Sequence, residues 1–273
     1  MRTFNVEITS RDNRLIKEYR RLSEEARFRR ESGRFAVEGA RLCADAALTG
    51  VTIPAAFLTS RAREQYPELV APLLDAARVV YDVPESLSQH LADTNSPQGV
   101  FCIAALPSHP KTVEDLPSEG RFAALEMIQD PGNLGTMIRT AEAFGLSGLL
   151  LSDGCCDPYS PKVLRASMGG VFRLPLYAAG DLTQTLPSLA QRGFRPSACV
   201  VDAAAQSVQT AGLCECAVPV IGNEGNGLRP ETVAACAQRI TIPMSGRAES
   251  LNASMAAGII FWEMVRKDGT AHE

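Results

Sequence analysis

Three stretches of the chain set polar and small residues at the mouths of apolar runs. In "IQDPGNLGTMIRTAEAFG" (128–145), Pro131 and Gly132 turn the chain, Asn133 follows, and Gly135 opens a helix. Its buried stripe is expected to be Met137, Ile138, Ala141 and Phe144, with Arg139 off that stripe about one turn from Asn133 and Gly135. An amide and a guanidinium near a helix N-terminus suit a phosphate or a polar hydroxyl. The competing reading is a surface Arg139 paired with Glu142 at i+3. In "IGNEGNGLRPE" (221–231), Gly222, Gly225 and Gly227 permit backbone approaches closed to other residues. No Gly-Lys-Ser/Thr follows, and the G-x-G-x-x-G order is absent. Glu224 in that loop would repel a pyrophosphate and tolerate a cationic or hydroxyl-rich ligand. In "IPMSGRAESLNASMAAGIIFWEM" (242–264), backbone groups of the polar run would ring an adenine, with Ile242 and Leu251 as apolar faces. Ser250 and Asn252 alternate with Leu251, which aims both side chains at the cleft that holds Arg139.

These stretches need elements to hold them. Beyond residue 120, apolar strands and helices alternate. Strands are expected at 122–128, 146–152, 171–177, 197–203, 217–224 and 239–244. Helices are expected at 135–145, 160–169 (Ser160 as cap, Pro161 first), near 181–192, at 230–238 and at 250–265. That alternation predicts an α/β domain with a largely parallel sheet. Ligands of such sheets lie at the strands' carboxyl ends, which points to the loops after Ile128, Ile221 and Met244. Leu251, Met255, Ile259 and Trp262 share one helical face and read as core. Upstream, helical spacing over 14–48 breaks at Ser32-Gly33, and "FAVEGA", "AAFLTS", "RVVYDV" and "GVFCIAAL" read as strands. The proline-rich 107–120 reads as a linker between a domain at 1–106 and one at 121–273.

With 273 residues, 45% hydrophobic and 21% charged, the composition is that of a soluble globular protein. No run of eighteen apolar residues predicts a membrane span, and "MRTFNVEITSRDNR" has no apolar segment of the secretory kind. The expected location is therefore cytoplasmic, with eight reduced, buried cysteines. Cysteine spacings (Cys214-x-Cys216, Cys155-Cys156) and three scattered histidines (His90, His109, His272) predict no metal site. The net charge of −4 is unevenly spread: residues 1–41 carry +4 and the remainder −8. Seven cations crowd residues 17–34, which reads either as a phosphate-facing surface or as a solvated helix whose Glu and Arg pair locally.

In order and spacing, "NLGTMIRTAEAFG", "IGNEGNGL" and "IPMSGRAESLNASMAAGI" resemble the three motifs of the SpoU/TrmH family. These are RNA ribose 2′-O-methyltransferases that use S-adenosylmethionine. "SPKVLRASMGGVFRLP" also looks like the family, so about 150 C-terminal residues are covered. "ITSRDNRLIKEYRRLSEEARFRRESGRFAVEGARL" is similar to the small RNA-binding domain that many members carry. The resemblance implies a deep trefoil knot and a homodimer with each site completed across the interface. By position, Asn133, Arg139, Glu224, Ser250 and Asn252 carry over as the functional set. The peptide groups around Gly222, Ile242 and Leu251, with Ile221, Met244 and Gly246, form the cofactor set. Arg14, Lys17, Arg27, Arg30 and Arg165 become the expected RNA contacts.

Methyl transfer from a sulfonium to a ribose hydroxyl is an in-line displacement, so the protein mainly aligns three atoms. A guanidinium with pKa above ~12 is a poor base at neutral pH. Arg139 is therefore expected to stabilise developing alkoxide rather than to take its proton. Asn133 would orient Arg139, and Ser250 and Asn252 would fix the ribose. The extra N-terminal domain favours 23S ribosomal RNA over transfer RNA. The rivals are a non-catalytic RNA-binding protein of the same fold and an NAD-dependent α/β enzyme. "DPGNLG" lacks the glycine turn and ribose-binding acid that the second requires.

Overall fold

The computed structural model describes residues 5–213 and 216–266. Cys214 and His272 lie outside the described residues. The chain divides into two compact units, one of Met1–His109 with Asp157–Phe172, the other of Pro110–Cys156 with Arg173–Glu273.

In the first unit the elements run β1 (Asn5–Glu7), α1 (Arg14–Glu24), α2 (Ala26–Ser32), β2 (Arg34–Glu38), α3 (Ala40–Leu48), β3 (Ala55–Leu58), α4 (Ser60–Gln65), α5 (Pro67–Ala76), β4 (Val80–Asp82), α6 (Glu85–Leu91) and β5 (Val100–Ala105). The strands form a five-stranded sheet in the order β1-β4-β3-β5-β2. Its core places Ile16, Tyr19 and Leu22, the apolar stripe of α1, against Phe57 and Phe101. Tyr19 meets both rings edge-on at 5.9 and 5.7 Å, a favourable aromatic geometry. Gly33 caps α2 in the left-handed region (φ 65°), where the helical pattern was expected to break.

In the second unit come β6 (Lys111–Thr112), β7 (Phe122–Leu125), α7 (Pro131–Ala143) and β8 (Gly148–Ser152). After the 157–172 segment, with α8 (Pro161–Ser167) and α9 (Gly170–Arg173), follow β9 (Leu176–Gly180), α10 (Leu182–Gln191), β10 (Arg195–Cys199), β11 (Gln206–Ser207), β12 (Ala217–Ile221), α11 (Pro230–Ala234), β13 (Gln238–Thr241) and α12 (Ala253–Val265). The sheet order is β11-β13-β10-β12-β7-β8-β9-β6, and each neighbouring pair is parallel. Phe122, Leu150, Tyr177, Leu186, Phe194 and Val218 are buried together on one of its faces. Ile221 pairs with Leu125, and Cys199 with Ile240, so the carboxyl ends of β7, β12, β10 and β13 come level.

Four expectations are corrected. Part of 107–120 is not linker: β6 pairs with β9, and Leu116 is buried in the second unit's core. Residues 171–173 belong to a helical turn, and the strand begins at Leu176. The segment 157–172, expected within the C-terminal domain, packs in the first unit. There Asp157 pairs with the buried Arg29 at 2.6 Å, and Tyr159 and Phe172 flank Phe35. The cysteines are also less uniformly buried than expected: Cys43 and Cys102 are enclosed, whereas Cys216 is exposed.

Candidate active site

Helix α7 begins at Pro131, four residues before the expected start at Gly135. The Asp130 carboxylate accepts the Asn133 backbone N–H at 2.9 Å and so caps the helix, and Pro131 at its first position loses no needed donor. Asn133 therefore sits in a rigid first turn rather than in a loop. Leu134, Met137, Ile138 and Ala141 face inward. At the other side, Asn252 caps α12: its Oδ1 accepts the N–H groups of Ser254 (2.9 Å) and Met255 (3.3 Å). Its Nδ2 is left to donate to Asn133 Oδ1 at 3.0 Å.

Between β12 and α11 the chain makes a small hairpin in which Asn223 and Gly227 exchange backbone hydrogen bonds of 3.0 and 2.9 Å. Gly222 faces this hairpin so closely that a Cβ there would lie 2.3 Å from the Gly227 carbonyl carbon and 2.4 Å from Leu228 N. Gly227 has φ 68°. The first position is set by close approach, the second by handedness. The hairpin presents Glu224, whose Oε1 accepts from Asn133 Nδ2 and Asp130 N–H, both at 3.1 Å, and whose Oε2 accepts from Gln129 N–H at 3.2 Å. Partial burial alone would raise its pKa. The Asn133 amide and the surrounding N–H groups outweigh that and hold the carboxyl below its ordinary range. Glu224 is thus an anion at neutral pH, engaged as an acceptor and unsuited to act as a base.

A chain of side-chain contacts, Glu224–Asn133–Asn252, thus joins the three stretches. Beside it lies a cleft of about 420 Å³, within the ~300–1,000 Å³ range of small-molecule sites. It opens at the carboxyl ends of β10, β12 and β13, as the rule for parallel sheets requires. Of the expected cofactor set, Ile221, Gly222, Ile242, Met244 and Leu251 line it, and Gly246 does not. Of the expected functional set, Glu224 and Ser250 line it, whereas Asn133, Asn252 and Arg139 do not. Asn252 does not share the Ser250 direction because its side chain is consumed as helix cap. The lining also includes Cys199, Val200, Val208 and Asn226, which the sequence reading passed over. The carboxyl-end rule applied to the strand at 197–203 would have found the first two.

Arg139 is exposed on α7 and, among the described residues, has neither hydrogen-bond nor ion-pair partner. The expected alternative fails, since Glu142 binds Arg173 at 2.7 Å. The face of α12 read as core is the outer one. Met255, Ile259 and Trp262 are 63, 37 and 50% exposed, the buried face is Ala257, Ile260, Phe261 and Met264, and Leu251, 39% exposed, precedes the helix. Spacing identified the stripe but not which side of the helix is buried. In the first unit, Lys17 pairs with Asp12, Arg27 with Glu31 and Arg165 with Asp93. Arg14 and Arg30 are exposed without a partner among the described residues. Local pairing thus absorbs much of the N-terminal basic excess.

A cleft at the carboxyl edge of a parallel sheet, with an amide–carboxylate network at its rim, is the ligand site of an α/β protein. Residues 121–262 match the model of the SpoU rRNA Methylase family, and residues 13–102 that of the MRM3-like substrate binding domain. The chain belongs to the SpoU rRNA methylase family. It is 31% identical over 268 residues to an uncharacterized tRNA/rRNA methyltransferase of Synechocystis, covering 97% of this chain and 95% of the relative. It is 30% identical over 187 residues to the 23S rRNA (guanosine(2553)-2′-O)-methyltransferase RlmP of Bacillus subtilis, covering 67% of this chain and 71% of that protein. The crystal structure of an AdoMet-bound rRNA methyltransferase from Sinorhizobium meliloti superposes with a TM-score of 0.81 at 31% identity, covering 96% of this chain and 97% of the other.

Proposed function

We propose that this chain methylates a ribose 2′-hydroxyl of RNA with S-adenosylmethionine as donor, and that the RNA is 23S ribosomal RNA. The observation that carries the reading is the Glu224–Asn133–Asn252 contact, which gathers the three family motifs beside one cleft. The residues present fit the cofactor. Ile221, Ile242 and Leu251 offer apolar faces to an adenine, the Gly222–Gly227 backbone offers polar groups, and the anionic Glu224 suits a cation and disfavours a pyrophosphate. Bound there, S-adenosylmethionine supplies a methyl group already activated on a sulfonium. The protein's part is placement: Ser250 at the cleft wall meets the ribose, and Asn133 and Asn252 hold the two helix starts in register. The target RNA is supported by the 23S-specific relative and by the substrate-binding domain at 13–102, where Arg14 and Arg30 are exposed and without a partner among the described residues.

The site is completed by a second copy of the chain. Arg139 does not line its own cleft, and α12 turns an apolar stripe of three large side chains, Met255, Ile259 and Trp262, outward. A homodimer that buries Met255, Ile259 and Trp262 accounts for both, bringing Arg139 of one chain toward the ribose oxygen of its partner's site. There the guanidinium steadies negative charge as the hydroxyl proton leaves through water or phosphate. The deep trefoil knot belongs to the same reading, with Ser245 to Asn252 as its cofactor-wrapping loop. Mapping 2′-O-methylated positions in RNA from a deletion strain tests the function. One ribosomal position should lose its mark and regain it with the wild-type gene, and an unchanged map refutes the assignment.

A further inference from the structure

Glu126 follows β7 and is 1% exposed, the most deeply buried carboxylate among the described residues. No step of the proposed reaction uses it. A charge so far from water persists only with a full set of donors, and Glu126 has them. Its Oε2 accepts the Arg229 backbone N–H at 2.9 Å; its Oε1 accepts Arg229 Nε–H at 2.9 Å and the Thr232 hydroxyl. The Glu126 backbone N–H donates to the Ile221 carbonyl at 2.8 Å. Ile221 and Leu228, which immediately precedes Arg229, are the two ends of the hairpin that lines the cleft. One residue therefore grips both ends of that hairpin. The next residue, Met127, has φ 51°, costly for a side chain of its size, and its carbonyl accepts Asn223 Nδ2 from inside the hairpin at 2.8 Å. On the outside Arg229 is held again, by Asp181 at 2.6 Å.

We propose that Glu126 is a positioning residue that sets the 222–228 hairpin in its cofactor-accepting shape, acting on donor affinity through Arg229 rather than on the methyl transfer. The inference rests on the reading of the cleft as the S-adenosylmethionine site, and its test separates the two. Full-length wild type, Glu126→Gln, Arg229→Ala and the double variant are compared by amide hydrogen exchange and by calorimetric titration with S-adenosylmethionine. Arg229 is 41% exposed in its side chain, so its truncation opens the same grip from outside should Glu126→Gln fail to fold. Exchange of the Gly227 N–H, which closes the hairpin, should quicken roughly tenfold in each single variant while β8 amides stay protected. The dissociation constant should rise by about the same factor, and the double variant should fall short of the summed single effects, because both variants cut the Glu126–Arg229 side-chain contact while Arg229→Ala alone also loses Asp181. Unchanged Gly227 exchange, or a lowered Tm with wild-type affinity, overturns the proposal. Faster exchange in a protein whose wild type takes up no S-adenosylmethionine leaves the grip standing and removes the cofactor reading.

Discussion

Replacing Asn133 by Ala removes the one side chain that touches both other motifs. The loss comprises a hydrogen bond to the Glu224 carboxylate at 3.1 Å and one from Asn252 at 3.0 Å. A bond to a charged group contributes about 1.5–3 kcal/mol and a neutral one about 0.5–1.5 kcal/mol. All three residues are at least partly open to solvent, so the lower ends apply, about 2 kcal/mol together. Because the cost falls on loop alignment, S-adenosylmethionine affinity should drop about ten- to thirtyfold, with a Tm shift of only a few degrees. Asn133→Asp is the sharper variant, since it turns a donor into a second carboxylate facing Glu224. In wild type the lowered pKa of Glu224 means that the folded state favours its ionised form. The contact is complete at neutral pH and is lost as pH falls through that lowered value. In Asn133→Asp the sign reverses. Binding should be worse than in Asn133→Ala at pH 7 and improve as pH approaches the ordinary carboxyl range near ~4.3, where one proton relieves the repulsion. Calorimetric titration across pH reads both effects. Asn133→Ala with affinity within twofold of wild type, or Asn133→Asp with no pH dependence of its own, refutes the network as the element that aligns the site.

Gly222→Ala should fold with a Tm lowered by several degrees and bind S-adenosylmethionine at least tenfold more weakly. Its Cβ would meet backbone atoms at 2.3–2.5 Å that have no rotamer to retreat into, an overpacking of about 1–3 kcal/mol; wild-type affinity would mean that the hairpin is not where the ligand sits. Arg139→Lys should keep donor binding and lose at least tenfold in kcat, because an ammonium lacks the planar fork of donors; near-normal turnover would deny the guanidinium any special part. Trp262→Glu should leave the first unit folded and convert the proposed dimer to monomer in light scattering, with loss of methyl transfer. A variant of unchanged size and activity removes α12 from the interface.

What the sequence disclosed depended on how local the determinants were. The parallel α/β pattern of 121–265 and the three site stretches were legible because strand runs, glycines and capping residues act within a few positions. The contact of Asn133 with Asn252, 119 residues apart, is not local; the carboxyl-end rule and the family resemblance place those loops at one site but do not name the pair. The α7 boundary was misread because Pro131-Gly132 looks like a turn, and it is the Asp130 cap that makes that proline a helix start. The stripe of α12 was read as core because large apolar residues at helical spacing usually are. On this helix the inward face is the one with Ala257 and Ile260, which leaves Trp262 half exposed. The basic N-terminal run showed its charge in the sequence but not its partners. Arg29, one of the seven cations of residues 17–34, is buried against Asp157, 128 residues away.

The measurement closest to the central claim is incubation of the purified protein with ribosomal RNA and methyl-labelled S-adenosylmethionine, followed by nuclease digestion and mass spectrometry of the nucleosides. The label should appear on a single 2′-O-methylated ribose and vanish with Arg139→Ala. Label on a base, or none from a protein that binds the donor, would contradict the account.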